Sequence, residues 1–286
     1  MTGGLNPLSL LSSILLGLIQ GLAEFLPISS SGHLAIAEHF LGQAGVPATP
    51  DFFDVLLHLG TLVAVFVAYW QDIRDMIVEL IDGVRDLVRG TTPNPIPPAR
   101  RMILLIIVGT LPLFAVLPVK DLVEGLSNNI YFVAGALIVT GFLLFASDRV
   151  KKGRKTERSA RLLDVLLVGI AQAIATCPGI SRSGTTITAG CFVGFDRKFA
   201  VRFSFLMSIP AILGANILTL KDAIQEDSII VSDIPVYLVG VAVAAVVGYA
   251  CIRLLKMIAD KGKFGWFAYY CWAMGLIVLA LTLVLK

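Results

Sequence analysis

Apolar residues run along this chain in long blocks separated by short polar connectors. Six blocks, 52–71, 102–119, 130–147, 199–220, 234–252 and 266–285, are long enough to cross a bilayer as helices. A hydrocarbon core of about 30 Å takes about 20 apolar residues at a helical rise of about 1.5 Å. Two further blocks are interrupted. Residues 8–26 stop at Pro27-Ile28-Ser29-Ser30-Ser31-Gly32-His33 and resume only from Leu34 to Leu41. Residues 162–177 stop at Pro178-Gly179-Ile180-Ser181-Arg182-Ser183-Gly184 and resume only to Phe195. Their second arms are too short to cross, so each pattern predicts a re-entrant helix-loop-helix hairpin that enters and leaves on one side. Such backbone is tolerated at membrane depth where protein or a water-filled cavity surrounds it.

The interrupted blocks resemble each other. A shift of 152 positions superimposes Gly17 on Gly169, Gln20 on Gln172, Ile28 on Ile180, Ser29 on Ser181, Ser31 on Ser183 and Gly32 on Gly184. Each hairpin is followed by three spanning blocks, which predicts a duplication with repeats at 5–148 and 160–286 in a single membrane domain. An odd number of crossings per half turns the second repeat upside down. The expected fold is therefore an all-α polytopic membrane protein with six transmembrane helices and two re-entrant hairpins in an inverted-topology repeat.

Composition agrees with this pattern: 57% of the residues are hydrophobic and only 15% charged, and the mean hydropathy is +0.86. A soluble globule carries about a quarter charged residues. Segments 72–101, 148–161, 196–202 and 253–263 hold 19 of the 23 Lys and Arg residues, and the opposite side holds Lys120, Lys221 and Lys286. The positive-inside rule then puts the basic loops in the cytoplasm and both termini outside. Residues 72–90 carry an apolar stripe at helical spacing opposite an acidic and basic face, the pattern of an interfacial scaffold helix. The four cysteines lie in apolar stretches without metal-ligand spacing, and residues 1–4 lack the features of a removable signal. No nucleic-acid partner is expected.

Ionisable residues at membrane depth are costly, which makes each a candidate for function. In the first hairpin Gln20 and Glu24 share a helix face, followed by the Ser29–Ser31 cluster and His33. The second break offers Ser181, Arg182, Ser183 and Thr186, with a helix restarting at about Thr185. A helix N-terminus attracts anions, and an arginine fork matches phosphate oxygens. Structurally, the serines alone could satisfy the broken backbone and Arg182 could simply pair with Glu24. Taken together, the two breaks fit a diphosphate whose polyprenyl tail stays in lipid. Glu24, with Gln20, is placed to hold a divalent cation that bridges diphosphate oxygens. Asp54 and His58 remain open between a supporting role and simple polar contacts.

Gln20-Gly21-Leu22-Ala23-Glu24-Phe25-Leu26-Pro27-Ile28-Ser29-Ser30-Ser31-Gly32-His33 and Pro178-Gly179-Ile180-Ser181-Arg182-Ser183-Gly184 resemble the two signature motifs of the undecaprenyl-diphosphate phosphatases, the integral membrane family linked to bacitracin resistance. The resemblance extends over essentially the whole chain. It implies hydrolysis of undecaprenyl diphosphate to the monophosphate, recycling the carrier lipid of cell-wall synthesis in the bacterial plasma membrane. It further implies dependence on Mg²⁺ or Ca²⁺ and a site open to the outer face. By position, Glu24, Ser30, His33 and Arg182 match the family's catalytic residues, and Ser29, Ser181 and Thr186 match hydroxyls around the diphosphate. Gln20 departs from the Glu common at the first acidic position, which weakens a two-carboxylate metal site. Ser30, His33 and a metal-bound water all remain candidate nucleophiles. An inverted-repeat lipid or ion transporter, with Glu24 and His33 as a proton relay, is the competing class, and a homodimer is compatible with the lipid-facing surfaces.

Overall fold

Long apolar runs leave the backbone no partner but itself, and the chain is correspondingly helical. The computed structural model describes residues 9–43, 51–91, 93–225, 231–261 and 263–284. In chain order the helices are α1 (Leu10–Phe25), α2 (Ser30–Gln43), α3 (Asp51–Ala68), α4 (Trp70–Arg89), α5 (Pro98–Thr110), α6 (Lys120–Gly125), α7 (Ile130–Ser147), α8 (Leu162–Ile174), α9 (Arg182–Phe192), α10 (Arg197–Gln225), α11 (Ile234–Lys261) and α12 (Gly265–Val284). Among the described residues there is no strand, only an isolated bridge between Lys155 and Phe195. The expected repeat limits at residues 5 and 286, both termini and Lys286 lie outside the described residues.

Among the described residues, five stretches are long and apolar enough to cross a membrane: Pro98–Asn128, Ile130–Ser147, Arg197–Asp222, Ile234–Ala259 and Gly265–Val284. The pair formed by α3 and α4 is a sixth candidate, bent by 84° between its two helices. The bend turns the amphipathic α4 away from α3 and leaves Leu80, Val84, Leu87 and Val88 exposed along one side. Arg100 fastens α4 to the start of α5, with Nε 3.1 Å from Glu79 and Nη2 2.8 Å from Asp86.

The span expected over 102–119 is not one continuous helix. After Thr110 the chain makes 3-10 turns at Leu111–Ala115 and Leu117–Val119 before α6 begins. Pro112 and Pro118 each lack the N–H that a continuing α-helix would need, and each falls in the first turn of one of these short elements. A second difference is that α9 starts at Arg182 rather than near Thr185, because the Ser181 hydroxyl accepts from the Gly184 N–H at 3.1 Å and caps the helix there.

Two close helix crossings hold the short arms. Gly17 of α1 faces Gly240 of α11, where an added Cβ would lie 2.5 Å from the Gly240 carbonyl oxygen. Gly169 of α8 faces Gly109 of α5, where a Cβ would lie 2.4 Å from the Gly109 carbonyl oxygen. In lipid, where the solvent is itself apolar, such small-residue contacts supply the packing that joins helices. A dense apolar core behind them includes the fully buried Phe195, Leu206, Leu255, Phe264 and Cys271.

These contacts set an expectation for stability. Gly17→Ala forces two backbones apart and should cost about 1–3 kcal/mol. Gly135→Ala, at an open helical position in α7 with nothing near the new methyl, should be neutral or stabilising by up to about 1 kcal/mol. Thermal unfolding of the two purified variants in one detergent measures the difference.

Candidate active site

Each break is built by a serine that ends one helix and opens the next. α1 stops at Phe25 because Pro27 follows, and the chain turns with the Ile28 N–H donating to the Leu26 carbonyl at 2.7 Å. Ser29 has φ of 75°, the one positive value outside glycine among the described residues. That conformation costs a serine on the order of 1 kcal/mol. It lets the Ser29 hydroxyl accept from the Gly32 N–H at 3.2 Å and cap α2. The second break repeats this with Ser181, and Thr140 of α7 braces it. The Thr140 hydroxyl donates to the Gly179 carbonyl at 3.1 Å and accepts from the Ser181 N–H at 3.1 Å.

The breaks touch. A Cβ on Gly32 would lie 2.9 Å from the Gly179 Cα, and the Ser183 hydroxyl reaches the Leu26 carbonyl at 3.5 Å. At this contact the Arg182 guanidinium pairs with Glu24 Oε1, across 158 positions of sequence. The other carboxylate oxygen, Oε2, accepts from the Ser30 hydroxyl at 2.6 Å and from Gln20 Nε2 at 3.1 Å. His58 Nε2 is 4.0 Å from the same oxygen. Glu24 is buried, and a buried carboxylate without partners would cost several kcal/mol, so its four neighbours are required to hold it charged.

These groups border a cavity of about 870 Å³ lined by Glu24, Ser29, Ser30, Ser181, Arg182 and Ser183. Asp54, His58, Gln172 and Asn216 contribute further polar wall, while Leu113, Phe114, Leu117 and Ala211 among others make the apolar part. Two helix N-termini, α2 and α9, open at the breaks beside it. The Arg182 fork has five N–H donors and gives the carboxylate only part of them. The cavity therefore combines an arginine fork, two helix N-termini, hydroxyls and an apolar extension, groups that suit an anionic head group with a hydrocarbon tail.

Not every residue expected at the site lies on the cavity. His33 turns toward α12: its Nδ1–H donates to the Ser29 carbonyl at 2.7 Å, and its Nε2 accepts from the Tyr270 hydroxyl at 2.9 Å. Thr186 bonds the Ser204 hydroxyl of α10 at 2.6 Å. Gln20 lies behind Glu24 and outside the cavity wall. The histidine nearest the carboxylate is His58, whose Nδ1–H is spent on the Asp54 carbonyl at 2.8 Å, leaving Nε2 toward Glu24. Gln172, Thr140 and Tyr270 were not singled out from the sequence; a signal for Gln172 existed in its superposition on Gln20.

A divalent cation would find oxygen donors here but no complete cage. No group of three or more His, Cys, Asp or Glu residues is arranged for a metal among the described residues. Gln20 Oε1, however, is buried without a hydrogen-bond partner among them. Of Gln20 and Glu24, only Glu24 borders the cavity, so Glu24 is the oxygen donor that a hard cation bound beside a diphosphate would meet, with Gln20 behind it.

The family described as bacitracin resistance protein BacA matches residues 13–277 of the chain. An undecaprenyl-diphosphatase of Methanosphaera stadtmanae is 40% identical over 285 residues, covering 97% of this chain and 100% of that protein. One from Syntrophotalea carbinolica is 40% identical over 276 residues, with coverage of 96% and 100%. One from Alkaliphilus metalliredigens is also 40% identical over 276 residues, with coverage of 95% and 98%. Since the match takes in both breaks and reaches into α12, the chain belongs to the bacitracin resistance protein BacA family.

Proposed function

We propose that this protein is an undecaprenyl-diphosphate phosphatase, which hydrolyses the diphosphate of the membrane carrier lipid to the monophosphate and inorganic phosphate. The observation that carries this reading is the joining of Arg182, Glu24 and Ser30 on one cavity. Relatives named for the same activity and aligned along their whole length support it.

Ser30 is the nucleophile in this reading. Its hydroxyl already donates to Glu24 Oε2, so Glu24 receives the proton as Oγ bonds to the terminal phosphorus. The bond from that phosphorus to the bridging oxygen breaks, and undecaprenyl phosphate leaves. Arg182 and the N–H groups opening α2 and α9 hold the charge on the transferred phosphoryl group. Water then attacks the phosphoserine, freeing phosphate and restoring the Ser30 hydroxyl. Ser29, Ser181 and Ser183 position the diphosphate. His33 acts from behind the break, holding the Ser29 carbonyl and, through it, the direction of Ser30. Thr186 steadies the start of α9 against α10. Glu24, with Gln20 behind it, would hold Mg²⁺ or Ca²⁺, and the ion when bound would supply neutralisation of the diphosphate charge.

The site opens to the outer face. The cavity runs from the breaks toward Lys120, Asn128 and Thr219, at the helix ends opposite the basic loops 148–161 and 253–263. The hairpins are re-entrant: α2 has 14 residues and α9 has 11, so they reach about 21 and 17 Å, short of the roughly 30 Å core. The halves are inverted repeats, a reading supported by matched crossings in which Gly17 of α1 meets α11 and Gly169 of α8 meets α5.

Purified protein should release inorganic phosphate from undecaprenyl diphosphate and lose that activity in EDTA; a transporter would release none. Arg182→Ala should lower release by about a thousandfold while the protein still inserts and purifies. Full turnover by that variant would remove Arg182 from the chemistry. Acid quenching during turnover of terminally labelled substrate should trap label on the protein, absent in Ser30→Ala. Label-free protein would instead point to direct attack by water.

A further inference from the structure

Gln172 occupies in α8 the place that Gln20 occupies in α1, one turn before the break. In the first hairpin the residue four positions on is Glu24, and Gln20 Nε2 donates to it at 3.1 Å. In the second hairpin that position is Thr176, whose hydroxyl turns back to the Ala173 carbonyl at 2.7 Å. Gln172 is left with nothing. Its side chain is 1% exposed, and both Nε2 and Oε1 lack a hydrogen-bond partner among the described residues. A buried amide in that state costs about 1–3 kcal/mol, a cost that an apolar side chain of similar size would not carry.

Gln172 is one of the residues that line the cavity, with Arg182, Ser181 and Ser30. The neighbouring turn of α8 is pinned against the α5 break, since a Cβ on Gly169 would lie 3.0 Å from Pro112 Cγ as well as close to the Gly109 carbonyl. Gln172 therefore stands on the side of the cavity that leads to the apolar Leu113 and Phe114, while Ser30 and Glu24 stand at the breaks.

Resting on the phosphatase reading, we propose that Gln172 is a substrate-binding residue whose Nε2 donates to the phosphate that stays on the lipid. Arg182 and Ser30 handle the phosphoryl group that leaves, and Gln172 holds the one that remains. The unpaired Nε2–H finds its acceptor only when the lipid diphosphate, or its monophosphate product, is bound. This separates affinity from folding: the native side chain is unfavourable in the empty protein and favourable in the complex.

The test compares Gln172→Leu and Gln172→Glu with the parent chain in phosphate release and thermal unfolding. For Gln172→Leu the expected result is a KM for undecaprenyl diphosphate raised at least about tenfold, the loss of one hydrogen bond to a charged group. Its kcat should stay within about twofold, and its melting temperature should be equal to or above the parent's. Gln172→Glu, of the same shape but anionic, should raise KM further. Inhibition by undecaprenyl phosphate should weaken by the same factor as KM, whereas inhibition by inorganic phosphate should not change. A KM within about twofold of the parent in both variants would overturn the assignment, as would a Leu variant that melts lower or does not fold. A parent chain that releases no phosphate would instead remove the phosphatase reading on which the assignment rests.

Discussion

A carboxylate placed deep in a membrane protein has to be neutralised, and in this chain Glu24 is neutralised by a residue 158 positions away. That single requirement explains much of the architecture. Removing one partner of a buried pair costs about 3–5 kcal/mol, because the other charge is left without compensation. The pair therefore fixes the first break against the second. Around it, Ser30 and Gln20 take the remaining capacity of the carboxylate, and Thr140 braces the strand of chain that carries Arg182. An ion pair that served only to hold the hairpins together would be better replaced by packed apolar side chains. Its place beside a cavity that also holds the Ser30 hydroxyl is what links the pair to the proposed chemistry.

The site carries local costs of its own, while Tyr69, Arg202 and Tyr237 also hold buried polar atoms without a hydrogen-bond partner elsewhere among the described residues. Ser29 accepts a left-handed backbone, Gln20 leaves one polar atom unsatisfied and Gln172 leaves two. Elsewhere the caps are ordinary: Asn129 opens α7 by accepting from the Tyr131 and Phe132 N–H groups, and Asp148 caps α12 through the Phe264 and Gly265 N–H groups. A strained serine and a glutamine with an unpaired amide, both lining one cavity, fit a site built for an occupant. Two helix N-termini, those of α2 and α9, meet at this site because each break opens a new helix beside it.

Much of this was legible in the sequence, and the reasons differ by feature. The long helices followed from apolar block length, which depends on the bilayer more than on neighbouring helices. The breaks were legible because Pro27 and Pro178 cannot continue a helix and the serines after them can cap one. The interruption at Leu111 was harder to see: Pro112 and Pro118 stand in a run so apolar that its length dominates its pattern. The roles of the histidines could not be read at all. His33 and His58 each donate Nδ1–H to the carbonyl four residues earlier, and only the packing of α2 on α12 and of α3 on the cavity decides which faces Glu24. Gln172 was visible as a match to Gln20, yet its isolation depends on Thr176 bonding backward, a side-chain choice that spacing does not encode.

Convergence of the two breaks inside the protein is most directly measured by a covalent link between them. A Cβ on Gly184 lies 3.2 Å from the Pro27 Cβ, close to the roughly 3.5–4.5 Å spacing of a disulfide. The variant carries Pro27→Cys and Gly184→Cys with Cys177, Cys191, Cys251 and Cys271 replaced by alanine, and a protease site is placed in the loop 149–161. After oxidation and cleavage, the two halves should migrate together in denaturing gels and separate only when reductant is added. Halves that separate without reductant, from protein that has inserted and folded, would show that the breaks do not meet and would contradict a shared diphosphate site.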